Sequence, residues 1–299
     1  MLSPQPERPW SLLWVALGAS LWGADTLLRR PLTHSLTSAQ IVLIEHLILT
    51  VALLPVCWRA RGEMGALAPR DWGAVLGIAW GGSALATVCF TEAIKIGNPS
   101  IAVLLQKLQP VFTALLARLL LKETLGRRFW AWLLIALAGG WLISFGDELD
   151  RPAGGGERLS AALLALAAAA LWGASTVLGR LALSRLTFLT LTALRIFAAT
   201  PLLLLMAWIS VPGLYLQLSG AQVLSLLLMA LIPGLAALLI YYRGLSGARA
   251  SRAGLAELAY PATAALLNWR FLGARLSPAQ LAGFALLWAV ILRMERRAR

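Results

Sequence analysis

The sequence predicts an all-α integral membrane protein: ten transmembrane helices built as two inverted five-helix repeats. Three observations predict it. First, 60% of the 299 residues are hydrophobic and 13% charged, where a soluble domain carries about a quarter charged. The mean hydropathy of +0.78 is more apolar material than one soluble core absorbs. Second, the second half of the chain resembles the first. Third, each half holds an odd number of long apolar runs.

A helix crossing a bilayer needs about 20 apolar residues. Runs of that order lie at about 10–28, 38–58, 72–93, 99–121, 128–146, 159–179, 187–209, 221–242, 250–272 and 277–294. The first, from Trp10, reads as an uncleaved span because nine more follow. Asn98-Pro99 reads as an N-cap with proline at the first helical position of the fourth run. Residues 1–146 form the first repeat and 159–299 the second. Between them, 147–158 (DELDRPAGGGER) stop the preceding helix and cannot enter lipid. This linker is expected on the extracytoplasmic side.

The repeat is legible in the letters. LWGADTLLRR (21–30) matches LWGASTVLGR (171–180) at an offset of 150, which also sets Glu45 on Arg195. Further on the offset is 151: Phe90 on Tyr241, Ser100 on Ser251, Ala102 on Ala253, Gln106 on Glu257, Pro110 on Pro261 and Leu125 on Leu276. Chance matching of two Leu/Ala-rich halves explains neither the shared LWGA nor the shared proline. Five spans per half send the second half into the membrane from the opposite side. Secondary transporters recur in this form, with the binding site near midplane at the repeat interface.

The net charge of +13 would suggest nucleic acid in a soluble protein. Here it follows the positive-inside bias. With the N-terminus inside, inner segments hold 16 Lys and Arg against 7 outside, so both termini are expected in the cytoplasm. Cys57 and Cys89 lie inside apolar runs without a CxxC neighbour, which indicates neither a disulfide framework nor a metal ribbon. Two histidines and few intramembrane acids make no metal site. No GxxxxGK[ST] loop exists for ATP, and a lipid-processing enzyme would need clustered acids, His or Cys near one face. No cofactor, metal, catalytic residue or nucleic-acid partner is expected. The partners are a small solute and the bilayer.

Charge inside a span is the strongest functional signal, since each such residue costs about 2.5–3.5 kcal/mol at a helix centre. Glu45, His46, Lys107, Arg195 and Glu257 are the ones well inside their runs. Glu45 and Arg195 suit an ion pair across the repeat interface, either a helix lock or a pair that opens and closes during transport. Lys107 and Glu257 suit a second pair, or the two poles of an amino-acid substrate. His46, with Glu45 and Glu257, raises proton coupling, against a plain hydrogen-bonded histidine.

Trp10, Trp58, Trp72, Trp130 and Trp208 sit near span ends and read as an interfacial belt. Trp22, Trp80 and Trp172 lie deeper; they line a cavity or pack the opposite repeat, as do Tyr241, Tyr242 and Tyr260. Gly73, Gly77 and Gly81 make a double GxxxG for close helix packing. Pro110 and Pro261 are midspan hinges, expected to kink their helices.

These features resemble the drug/metabolite transporter superfamily, in its ten-span EamA-type branch, over nearly the whole chain. The resemblance rests on LWG with a small residue at 21–24 and 171–174. It rests also on FTEAIKIGNPSIAVLLQKLQPVFTALLARLLLKETL (90–125) and its counterpart YYRGLSGARASRAGLAELAYPATAALLNWRFLGARL (241–276). That family carries an aromatic–x–x–Ala–Leu start, a small-residue helix start, a midspan proline, then a Gly/Lys-Glu pair. Lys122-Glu123 keeps the pair; Gly273-Ala274 lacks the acid. The resemblance implies no enzyme activity. It implies export of small metabolites by alternating access across a bacterial inner membrane, with amino-acid exporters of the YddG type as the nearest fit. Broad drug efflux is the alternative. The cavity residues then expected are Trp22, Glu45, His46, Trp80, Lys107, Trp172, Arg195, Tyr242, Glu257 and Tyr260.

Overall fold

The computed structural model describes residues 7–33, 35–96, 102, 105–145, 159–211, 218–272 and 277–296. His34, Asn98-Pro99, the 147–158 linker and Gly273-Ala274 lie outside them. The helices are α1 (Ser11–Trp22), α2 (Asp25–Arg29), α3 (Ser38–Arg59), α4 (Arg61–Gly65), α5 (Pro69–Ile96), α6 (Gln109–Leu120), α7 (Arg127–Phe145), α8 (Leu159–Ala182), α9 (Phe188–Ser210), α10 (Gly220–Leu245), α11 (Ala250–Ala256), α12 (Ala259–Leu272) and α13 (Pro278–Arg296). No strand occurs among the described residues. Six helices there are long and apolar enough to cross a membrane: Ser11–Arg29 taken together, α3, α5, α8, α9 and α10. Gln109–Leu120 is a shorter apolar helix.

Local chemistry starts these helices in matched places. Thr37 caps α3, its hydroxyl accepting from Gln40 N–H, and Thr187 caps α9 by accepting from Thr190 N–H. Ser219 caps α10 through Gln222 N–H, while at the matching start of α5 the Asp71 carboxylate accepts from Ala68 N–H at 3.0 Å. Each device satisfies a helix N–H that has no partner within its own turn.

The two halves interleave. α1 packs on α10, α11 and α12; its counterpart α8 packs on α5 and α6. α3 packs along α9, α7 along α13, and α6 meets α11. At the α3–α9 contact, Thr50 and Thr200 share a hydrogen bond of 3.1 Å. They are repeat equivalents, so a pseudo-twofold axis passes between them.

The LWG motifs explain themselves in this packing. A Cβ on Gly173 would lie 2.9 Å from Thr113 N and from Phe112 Cβ. A Cβ on Gly23 would lie 2.7 Å from Ala264 N and Thr263 Cβ. Those neighbours are themselves equivalent at offset 151. In both repeats glycine brings the first span into backbone contact with the proline-bearing helix of the other half.

α5 and α10 each contain a π-helical stretch, Gly77–Leu85 and Ala230–Ala236, ending at equivalent residues. The extra residue per turn corrects the expected GxxxG packing. Gly73 has open space beside it, and a Cβ at Gly81 would rest 3.5 Å from Leu171. The tight contacts fall at Gly77, 2.7 Å from Leu178 Cδ1, and at Gly82, which meets Ser175 Oγ. The spacing is five rather than four because the π turn rotates the packing face by one residue.

The prolines also differ from expectation. Pro110 stands in the first turn of α6 and Pro261 in the first turn of α12. There a missing N–H is no loss, so neither kinks a continuous helix. The chain breaks just before them, at turns Lys107-Leu108 and Glu257-Leu258.

Candidate functional site

The two breaks face one another. Glu257 closes α11 and is buried, 5% exposed. Its carboxylate accepts from Tyr241 OH at 2.7 Å, from Thr176 Oγ1 at 2.9 Å and from Gln109 Nε2. Gln106, the counterpart of Glu257, accepts from Tyr260 OH at 2.6 Å. Gln109 and Tyr260 are likewise counterparts, so each broken helix donates into the other by the same rule. Gln106 and Gln109 close the circuit at 3.2 Å. Gln106, Gln109, Thr176, Tyr241, Glu257 and Tyr260 therefore all have partners here.

Aromatic rings flank the layer in equivalent pairs. Trp22 meets Tyr241 at a tilt of 47° with centroids 5.0 Å apart, and Trp172 meets Phe90 edge-on at 5.3 Å. Tyr241 also lies 5.3 Å from Tyr242. The Trp172 indole N–H donates to the Gly82 carbonyl at 3.0 Å, on the π stretch of α5. Such a stretch frees carbonyls from the regular ladder.

The other intramembrane charges take separate partners, which corrects both expected pairs. Glu45 accepts from Arg29 Nη2 at 3.3 Å, and Arg29 holds Asp25 through Nε at 2.6 Å. Arg195 donates from Nε to Ser83 Oγ at 2.6 Å and from Nη1 to Tyr242 OH at 2.8 Å. Arg29, on the short helix α2, is thereby turned inward onto Glu45. The second-span charges still obey the repeat, because Glu45 Oε1 sits where a Cβ on Gly234 would be 3.2 Å away. Ser83 and Gly234 are counterparts, so each π stretch receives the charged residue of the opposite repeat.

Lys107 forms no ion pair with Glu257. Its amine is buried, has no hydrogen-bond partner among the described residues and lies 5.1 Å from the Tyr260 ring centroid. His46 Nδ1 donates to the Val42 carbonyl of its own helix at 2.9 Å, and its Nε2 is buried without a partner among the described residues. Trp80 is half exposed, and its indole N–H donates to Ala198 O at 2.8 Å. It therefore faces outward on α9, apart from the layer. No cluster of three or more metal-ligating side chains occurs among the described residues.

One end of the bundle is tied by carboxylates. Lys122 adopts φ 54°, a left-handed value that glycine takes more readily than lysine. Glu123 then accepts from Ala250 N–H at 2.8 Å, Ser251 N–H at 3.2 Å and Ser251 Oγ, capping α11. Glu7 holds Arg252 and accepts from Arg249 N–H at 3.1 Å. Glu295 accepts from Trp10 N–H and from Leu12 N–H at 3.0 Å.

The sequence did not single out Gln109, Thr176, Ser83 or Arg29. Polar residues three apart in an apolar run (Gln106 and Gln109) were the available signal. Thr176 and Ser83 carry none, because hydroxyls satisfy their own helices cheaply.

Comparison with known proteins agrees with this architecture. The model of the EamA-like transporter family matches residues 9–145 and again 159–294, one match per repeat. The riboflavin transporter ImpX of Fusobacterium nucleatum is 31% identical over 289 residues, covering 95% of this chain and 97% of that protein. The uncharacterised transporter YwfM of Bacillus subtilis is 29% identical over 304 residues, covering 96% and 94%. A solved crystal structure, 20% identical, superposes with a TM-score of 0.80 over 98% of both chains, which places the fold. Two family matches, each coinciding with one half of the interleaved bundle, settle membership: the chain is a multi-pass membrane transporter of the EamA-like transporter family.

Proposed function

We propose that the chain carries a small amphipathic metabolite with a flat ring across the bacterial inner membrane, by alternating access at the interface of its two repeats. The observation that carries this reading is the layer between the broken helices. Carboxylate, amide and phenol groups (Glu257, Gln106, Gln109, Tyr241, Tyr260) lie there between two aromatic pairs. A ring edged with donors and acceptors matches such a layer, because its face stacks and its edge takes over the hydrogen bonds the side chains now make to each other. The relative named as a riboflavin transporter supports riboflavin as the first solute to test.

A second reading is export of aromatic or neutral amino acids. One amine, Lys107, and one carboxylate, Glu257, are the charges a zwitterion needs. In both readings ten spans cross the bilayer, with the 5+5 order that leaves both termini in the cytoplasm. Glu45, His46 and Glu257 are the groups through which protons would couple.

Purified protein in liposomes tests the readings together. Riboflavin flux above empty vesicles, unaffected by excess phenylalanine or tryptophan, is the expected result. Flux of amino acids alone overturns the first reading, and no flux of either overturns both. Repeating the assay with and without a pH gradient tests coupling: equal rates would exclude it.

A further inference from the structure

Lys107 is a buried cation that the hydrogen bonds around Glu257 leave without a partner among the described residues. Its side chain runs toward α7, where Cδ comes within 3.9 Å of the position of a Cβ on Gly140. It lines a cavity of about 250 Å³ whose other walls are Leu108, Leu137, Ala138 and Trp141. Every wall but Lys107 is apolar in its body. The mouth lies on the outer surface of the bundle, since Leu108 and Ala138 are exposed there, and in a membrane that surface meets acyl chains. Lys107 is 3% exposed, and its amine has no hydrogen-bond partner among the described residues.

A desolvated ammonium next to an apolar groove calls for an anion. The walls narrow the choice. A zwitterion would place its own ammonium against leucine and tryptophan with nothing to accept from it. A dianion would bring more charge than one amine offsets. A monocarboxylate on a long apolar chain satisfies both ends: the carboxylate meets Lys107 and the chain lies between α6 and α7 among the lipids. We propose that this groove is a site for a fatty-acid-like amphiphile, entered from the bilayer, with its carboxylate meeting Lys107 beside Tyr260 at the edge of the solute layer. The proposal rests on the riboflavin reading, since a zwitterionic solute would claim Lys107 itself.

Binding of radiolabelled hexadecanoate to the full chain in lipid nanodiscs tests it, with hexadecanol as the uncharged control. The acid is expected to bind at least about tenfold more tightly than the alcohol, the scale of one charge-assisted hydrogen bond. Lys107→Met should abolish that preference and Lys107→Arg should retain it. Ala138→Phe, which fills the mouth without touching the amine, should weaken acid and alcohol alike. Melting curves establish that each variant is folded. Equal binding of acid and alcohol to the unmodified chain overturns the proposal, as does an acid preference that survives Lys107→Met. Riboflavin flux measured on the same preparations reports on the solute layer independently.

Discussion

The two repeats share their packing and differ in their chemistry. Gly23 and Gly173 press against equivalent atoms, Trp22 and Trp172 meet equivalent rings, and both π stretches end at the same repeat position. At the polar positions the halves part: Glu257 against Gln106, Tyr241 against Phe90, Arg195 against Glu45, Ser83 against Gly234. Close packing tolerates few changes of volume, so a duplicated bundle keeps its contacts. A solute that is itself asymmetric requires different groups on its two sides, and only the polar positions are free to supply them. The lesson is that symmetry marks the scaffold and its violations mark recognition.

That contrast can be broken at several depths. The largest effect is expected at Glu257, whose carboxylate satisfies three donors. Glu257→Leu should cost about 3–5 kcal/mol, the scale for removing one partner of a buried charged network, and should abolish transport. Gln106→Leu, its counterpart, loses one phenol and one amide contact and should cost clearly less. Melting temperatures in detergent compare them; equal losses would mean that the layer is functionally symmetric.

Next come the glycines. Gly82→Ala drives a methyl into Ser175 and should cost about 1–3 kcal/mol, the price of overpacking. Gly81→Ala should be nearly neutral. A reversed order would show four-residue rather than five-residue packing along α5. Below these, Glu123→Ala removes the cap of α11 and should cost about 1 kcal/mol, read as a drop in melting temperature that Glu123→Asp partly restores. The smallest effect lies at the axis. Thr50→Val and Thr200→Val should couple by about 0.6 kcal/mol in a double-mutant cycle, typical of hydrogen bonds between membrane helices. Because the positions are equivalent, the two single variants should match each other.

Much of this was legible in the letters. Apolar runs placed the helices, LWGA and the repeated proline placed the duplication, and intramembrane charge pointed to Glu45, Lys107, Arg195 and Glu257. What periodicity does not encode is which buried group meets which. Glu45 lies opposite Arg195 in the alignment, yet Arg29 of the short helix α2 donates to it instead. The π stretches leave no signature in composition either, so the glycine motif was assigned its usual spacing. The prolines were placed correctly in the chain and wrongly in the helix: a break one turn earlier turns a kink into a helix start.

Thr50 bonding to Thr200 has a consequence of another kind. A residue touching its own counterpart is what a five-helix chain would present to a copy of itself inserted upside down. Such a contact is satisfied identically whichever copy points up, so it sets the register of the pair without favouring an orientation. Any motion in which the two halves trade shapes carries this contact onto itself. A pair of probes at Thr50 and Thr200 should then read the same separation at both ends of that motion, a fixed mark against which the movement of everything else is measured.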